Sequence, residues 1–275
     1  MSSNWEIAHA FDQIADDYDT AYGPDGNAVM AWMRQESLSF LKQTFPPGSR
    51  LLELGCGTGA EAVALACEGC SVVATDIAPR MVALTQAKAQ VAGVRDCVRG
   101  VALPACGVGT LRPLQPFDGA YASFGSLNCE ADLPAVVQAL ARLLKPGGRF
   151  VTSIMGRTCL FEMVWYLAHL RPWRALRRLR RGWQPAPVAG EAGREITVPT
   201  RYLSVRDLTS VFGDAFAVED VWALPLLLPP PYADRLFRQR RAFFARLEPW
   251  ERSLRHRWPW CHLGDHLVIR LRRRA

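Results

Sequence analysis

Apolar residues over the first 155 positions fall into two rhythms. Short, nearly continuous runs at Leu51 to Gly55, Ser71 to Asp76, Gly119 to Phe124 and Arg149 to Ile154 alternate with longer mixed stretches at Ala60 to Ala66, Pro79 to Ala92 and Asp132 to Leu144. Continuous runs are what parallel strands buried on both faces require, and their alternation with helical stretches predicts an α/β sandwich. A weaker strand is expected within Asp96 to Val101, and Pro146-Gly147-Gly148 stops the helix that precedes the fifth strand. Further on, Ser204 to Phe212 reads as a helix, Phe216 to Leu224 as a strand and Asp265 to Leu271 as a last strand. Near the start, Phe11, Ile14, Ala15 and Tyr18 share one helical face, with Asp12, Asp16 and Asp19 outside it.

The chemistry enters where the first run ends. Leu51-Leu52-Glu53-Leu54-Gly55-Cys56-Gly57-Thr58-Gly59 is a strand running into a glycine-rich loop, and Asp76 closes the next strand. Glycine lets a loop take φ > 0 and bring its N–H groups close under a ligand, and a carboxylate at the second strand end can accept both hydroxyls of a ribose. The motif therefore asks for an adenosine-containing cofactor. The spacing is G-x-G-x-G with Glu53 two residues ahead, not the G-x-G-x-x-G of dinucleotide sites, and a carboxylate there would repel a pyrophosphate.

On these residues the chain resembles the class I S-adenosylmethionine (SAM) dependent methyltransferases of the small-molecule type, whose first motif is [D/E]-x-G-x-G-x-G. The likeness continues at Ala10 to Asp19, Phe117 to Tyr121 and Leu144 to Val151, and covers roughly residues 10 to 155. It implies a doubly wound, Rossmann-like seven-stranded sheet whose last two strands form an antiparallel pair at the edge. It also implies that Gly55, Gly57 and Gly59 approach the methionine portion of SAM, that Glu53 supports it, and that Asp76 takes the ribose diol. Ile77 and Met81 would flank the adenine, Ser123 would touch the cofactor, and Tyr18 would face it from a closing N-terminal helix, which equally reads as a plain packing helix. The acidic residue that the family often places after the third strand is missing from Ala105 to Leu111, where Thr110 is the substitute. The Pro-Pro-aromatic tetrapeptide of base-amine methylation is absent after the fourth strand, where Ser123 to Cys129 stands instead.

Methyl transfer needs the two reactants held in line with water excluded, and a base where the acceptor carries a proton. Histidine suits that role near neutral pH, and His9 beside the N-terminal helix and His266 at the start of the last strand are the candidates. Cys67-Glu68-Gly69-Cys70 is formally C-x-x-C, but no second ligand pair is in sequence reach and no metal is expected. Asn128, Arg157, Trp165 and Tyr202 are the candidate substrate contacts.

Composition adds the size and sign of the rest. A 275-residue chain with 49% hydrophobic residues is long enough for one core with an elaborate cap. Three parts are expected: residues 1–155 with the N-terminal helix and SAM core, a mostly helical cap insertion at 156–203, and 204–275 completing the core with a second insertion at 229–263. Residues 1–150 carry 11 Lys and Arg against 15 Asp and Glu, whereas 151–275 carry 22 against 11, so the overall +7 belongs to the second half. From Pro172 to Trp183 an amphipathic helix is expected, with Trp173, Leu176, Leu179 and Trp183 on one face and arginines on the others, suited either to an anionic membrane surface or to packing with its arginines solvated. Trp183 to Gly190 reads as an exposed connector. No signal peptide or spanning segment is visible, so a cytoplasmic protein is expected, with membrane contact through 172–183. The apolar and aromatic cap predicts a small, largely apolar metabolite as acceptor. The competing readings are an RNA methyltransferase, from the basic half, and a SAM-fold binding protein without turnover.

Overall fold

The computed structural model describes residues 4–23, 25–188 and 196–275. Seven strands form one sheet: β1 (Arg50–Leu54), β2 (Ser71–Asp76), β3 (Val98–Ala102), β4 (Phe117–Ala122), β5 (Leu144–Met155), β8 (Phe216–Leu224) and β9 (His266–Arg273). Their order is β3-β2-β1-β4-β5-β9-β8, parallel from β3 to β5, with β9 antiparallel to both of its neighbours. This is the Rossmann-like methyltransferase fold. The apolar runs are strands because both faces are covered: Leu51 packs into the core layer with α3 (Ala28–Thr44) and α4 (Ala60–Cys67), Leu52 and Leu54 into the layer with α6 (Leu133–Leu143) and α9 (Val205–Phe212). Ser204 caps α9 with its hydroxyl on the Asp207 N–H, and Asn27 caps α3 on Met30.

Three expectations change. The N-terminal helix is interrupted: α1 (Asn4–Ile14) and α2 (Tyr18–Tyr22) meet at a bend, with Ile14 and Ala15 buried against Ala78 and Met81. Three acids of this segment are partnered, Asp12 accepting from the Arg80 N–H, Asp16 pairing with the Arg80 guanidinium, and Asp19 bridging Thr58 and Lys88.

The second concerns the arginine-rich helix, which does not form as one piece. Only Pro172–Ala175 (α8) is helical, followed by a 3₁₀ turn at Arg177–Leu179, because Leu176 leaves helical geometry and Arg178 is drawn inward to buried carboxylates. Side-chain pairing has overridden helical propensity.

The third is the connector. Gln184–Val188 (β6) pairs antiparallel with Ile196–Thr200 (β7) as a separate ribbon, and residues 189–190 lie outside the described residues. Prolines at 185 and 187 disguise it, yet a two-stranded ribbon has only edge strands and can hold them. Among the described residues no helix is long and apolar enough to cross a membrane.

Candidate active site

A cavity of about 620 Å³ opens at the carboxyl ends of β1, β2, β4 and β5, where open α/β sheets bind ligands. The glycine loop forms its floor. Gly55, Gly57 and Gly59 all have positive φ, at 74°, 52° and 82°. Their reasons differ. A Cβ at Gly55 would strike Ser126 at 2.5 Å, and one at Gly59 would strike Thr85 at 2.6 Å, so the fold itself requires both. A Cβ at Gly57 meets nothing nearer than Tyr18 at 3.9 Å, on the cavity side, so that glycine serves the approach of a ligand. Gly57→Val is therefore expected to fold, with about 1–2 kcal/mol of left-handed strain, and to lose SAM binding. Gly59→Val is expected to lose about 2–5 kcal/mol of stability. Circular dichroism melts beside SAM calorimetry separate the two, and equal effects on both quantities would contradict the division.

Asp76 binds the loop from beside it. Its Oδ2 accepts the Gly57 N–H at 2.9 Å and its Oδ1 the Ala78 N–H at 2.9 Å. Burial pushes its carboxyl up to about 6, against those two hydrogen bonds, which pull it down. Beneath the loop Glu53 is fully buried beside Tyr121 of β4, and both of its oxygens lack a hydrogen-bond partner among the described residues. Burial, then the nearby Glu61, push its carboxyl well above the ordinary range. An orphaned buried carboxyl under a glycine cradle fits the amino acid end of SAM. Tyr18 lines the cavity above the loop, and burial pushes its hydroxyl up, so it stays a neutral donor.

Sequence reasoning missed Arg34. It lines the cavity, donates from Nε to Glu61 Oε1 at 2.8 Å and lies 5.6 Å from the Phe124 ring centroid. Its signal was its place on the buried stripe of α3, four residues after Met30 and three before Ser37. It suits the carboxylate of the cofactor. Ile77 and Met81 line the opposite wall with Leu103, Pro104 and Ala105. Thr110 does not: it is exposed and donates to the Gly107 carbonyl at the end of its own turn. The nearby wall carboxylate is Glu130, whose Oε2 accepts the Cys106 N–H at 3.0 Å.

At the far end Ser123, Phe124, Met155, Tyr202 and His266 line the cavity. His266 is buried at the start of β9, opposite Met155 of β5, and its Nδ1 lies 2.9 Å from Asp265 Oδ2. Burial alone would raise the Asp265 carboxyl. Arg178 first and His266 next outweigh it and hold it below the usual carboxylate range. An ionised Asp265 can only accept, so Nδ1 carries a proton, and in the neutral ring Nε2 is the acceptor.

Four other candidates lie elsewhere. His9 is exposed, stacked on Trp5 and bonded to Gln13. Asn128 is wholly buried and pins the end of β5 to the ribbon exit, through Met155 and the Arg201 carbonyl. Arg157 pairs with Asp207 at 3.1 Å, outside the cavity. Trp165 on α7 (Leu160–Ala168) points outward, and its neighbour Tyr166 lines the cavity instead. Among the described residues no group of His, Cys, Asp and Glu is placed to hold a metal ion.

Comparison with known proteins agrees with this geometry. Residues 51–148 match the family described as a methyltransferase domain. The ubiquinone biosynthesis O-methyltransferase of Xylella fastidiosa (strain 9a5c) is 34% identical over 122 residues, covering 44% of this chain and 48% of that protein. The chain thus spans about half the length of the curated relatives it matches. Among solved structures, the CcbJ methyltransferase from Streptomyces caelestis superposes with a TM-score of 0.63 at 20% identity, over 97% of this chain and 98% of that one. The [4+2]-cyclase SpnF gives 0.65 at 17% identity, over 100% and 98%. At these identities the structural likeness shows the fold.

Proposed function

We propose that this chain, whose residues 51–148 match the methyltransferase-domain family, is a SAM-dependent methyltransferase of a small, largely apolar, hydroxyl-bearing metabolite. The observation that carries the reading is one cavity lined both by the glycine loop with Asp76 and by the buried Asp265–His266 pair. SAM, when bound, supplies a methyl group activated on a sulfonium. Asp76 then accepts the ribose hydroxyls, Arg34 takes the carboxylate, and Glu53 supports the methionine end. His266 Nε2 receives the acceptor's proton, and the resulting imidazolium is stabilised by Asp265. The elements inserted at 156–203 and 229–263 supply Tyr166, Tyr202 and Tyr232 to the same cavity and act as the substrate cap.

Two observations narrow the acceptor. The arginines that the cap turns into the cavity, Arg177 and Arg178, are matched by Glu162 and Asp265 and so are not free for an anionic substrate. In the basic half, Arg252, Arg255 and Arg270 are likewise in ion pairs, and the candidate ligand space is a cavity of about 620 Å³, which favours a small molecule over RNA. An oxygen acceptor, as the name O-methyltransferase says of the Xylella relative, is the one to try first. Incubation with SAM and a panel of catechols and quinols is expected to release S-adenosylhomocysteine (SAH) only when an acceptor is present. The SpnF likeness supports a second reading, that this fold here serves a reaction without methyl transfer. Product formation from an accepted substrate in the absence of SAH release would favour it.

A peripheral membrane contact is proposed on new grounds. Leu167, Leu170, Trp173, Leu176 and Leu179 are exposed along the cap, Leu170 at 85% and Trp173 at 66%, beside the exposed Arg171, Arg174, Arg180 and Arg181. Replacing these four arginines with glutamine is expected to reduce co-sedimentation with anionic liposomes, each charge near the surface being worth about 1 kcal/mol. Wild-type protein that stays in the supernatant at low ionic strength would remove the membrane from the account.

A further inference from the structure

Two successive arginines of the cap are used differently. Arg177 is partly exposed and pairs with Glu162. Arg178 is only 5% exposed, and every edge of its guanidinium is engaged. Its Nε pairs with Glu162 Oε2, its Nη2 reaches Asp265 Oδ1 at 2.5 Å, and its Nη1 donates to the Asp265 carbonyl at 3.2 Å. Its face lies 4.9 Å from the Tyr202 ring centroid. Asp265 Oδ2 in turn meets His266 Nδ1, so Glu162, Arg178, Asp265 and His266 form one continuous buried chain from cap to core.

Stability is a poor explanation for such a chain. Desolvating four ionisable groups costs more than packing apolar residues of the same volume, so the chain is better explained by what it holds in place. Fixing a carboxylate against a base is such a role, since a loose Asp265 could rotate away from Nδ1 and release the imidazole to the other tautomer.

We infer that Arg178 is a positioning residue, which locks the Asp265 carboxylate onto His266 Nδ1 and thereby makes a competent base only when the cap segment that carries Glu162 and Arg178 is docked on the core. The inference rests on the reading of His266 as the base. Arg178 touches the acceptor's base through Asp265 alone. The charged and titratable groups that face the chain are Cys159 and Glu162 from the start of α7, Arg177 beside Arg178, Tyr202 after the ribbon and Tyr232 from the second insertion.

The test reads the tautomer of the His266 ring by nitrogen NMR in the intact chain, the signal being assigned with His266→Gln. The neutral ring of the wild type is expected as the Nδ1–H tautomer, held by Asp265. Arg178→Gln frees the Asp265 carboxylate and is expected to raise the share of the Nε2–H tautomer several-fold, and Arg178→Lys to restore most of the wild-type state. SAM affinity, measured by calorimetry, is expected to stay within about twofold in both variants. A mere packing role predicts no change of tautomer. An unchanged tautomer share in folded Arg178→Gln overturns the inference. Should Arg178→Gln not fold, Glu162→Gln, which loosens Arg178, is expected to move the share the same way, and an unchanged share there overturns the proposal. Normal methyl transfer by His266→Gln would instead overturn the assignment of the base and leave the tautomer shares as measured.

Discussion

His266→Gln is expected to slow methyl transfer to a hydroxyl acceptor by about 10²–10⁴-fold while leaving SAM affinity unchanged. Glutamine fills much of the imidazole's volume and can still reach Asp265, but it has no basic nitrogen. The rate loss then reports the proton and not the packing. The cofactor end is built from other elements, the loop after β1, the end of β2 and α3, so a change at β9 does not reach it. Single-turnover measurement with an acceptor in hand checks both halves. A variant that keeps wild-type turnover would mean that the acceptor gives up its proton to water or not at all.

Asp76→Ala is expected to weaken SAM binding by roughly a hundredfold or more. Two hydrogen bonds from the ribose to a charged acceptor are lost, at about 1.5–3 kcal/mol each. The Gly57 and Ala78 N–H groups lose their partner as well, which loosens the loop. The same residue predicts a pH dependence. With the site free, burial holds the Asp76 carboxyl up at about 6, and the ionised form is the one that accepts both hydroxyls. Affinity is therefore flat above that pH and falls as pH drops through it, because below it a proton must leave before the ribose is held. In folding the sign is opposite. A buried acid whose folded pKa is raised costs stability above it, and this cost is relieved as pH falls from 6 toward the unfolded value. Calorimetry from pH 5 to 8 on wild type and Asp76→Asn tests this, the variant being expected to lack the acidic fall.

Much of the fold was legible because the parallel strands are buried on both faces, which leaves an unbroken apolar run that no helix here imitates. Glu53, the three glycines and Asp76 were legible for a related reason: a loop under a ligand restricts residue type at fixed spacing. The cap was not. The arginines from 174 to 181 look alike in sequence, and only tertiary structure sends Arg178 inward to Glu162 and Asp265. Trp165 and Tyr166 differ by one position, about 100° around a helix, which decides which of them faces the cavity. Thr110 was named in place of the family's acidic residue, but its hydroxyl closes its own turn on the Gly107 carbonyl, and Arg157 is taken up by Asp207. Arg34 lay on a helix that no motif marked, although a charged residue on a buried stripe was a readable signal. His266 was a candidate by its place at the head of the last strand. Its partner Asp265 stood next to it, and Arg178, the partner of that carboxylate, lay 87 residues from Asp265.

The central claim is that the loop after β1 and Asp76 hold SAM in the same cavity that His266 faces. Titration calorimetry of SAM and of SAH into the protein tests it most directly, with Asp76→Ala and Gly57→Val run in parallel. The account predicts one equivalent bound per chain, a much weaker isotherm for Asp76→Ala and none for Gly57→Val, with all three proteins folded by circular dichroism. A folded wild type that binds neither compound, or variants that bind as the wild type does, would contradict it.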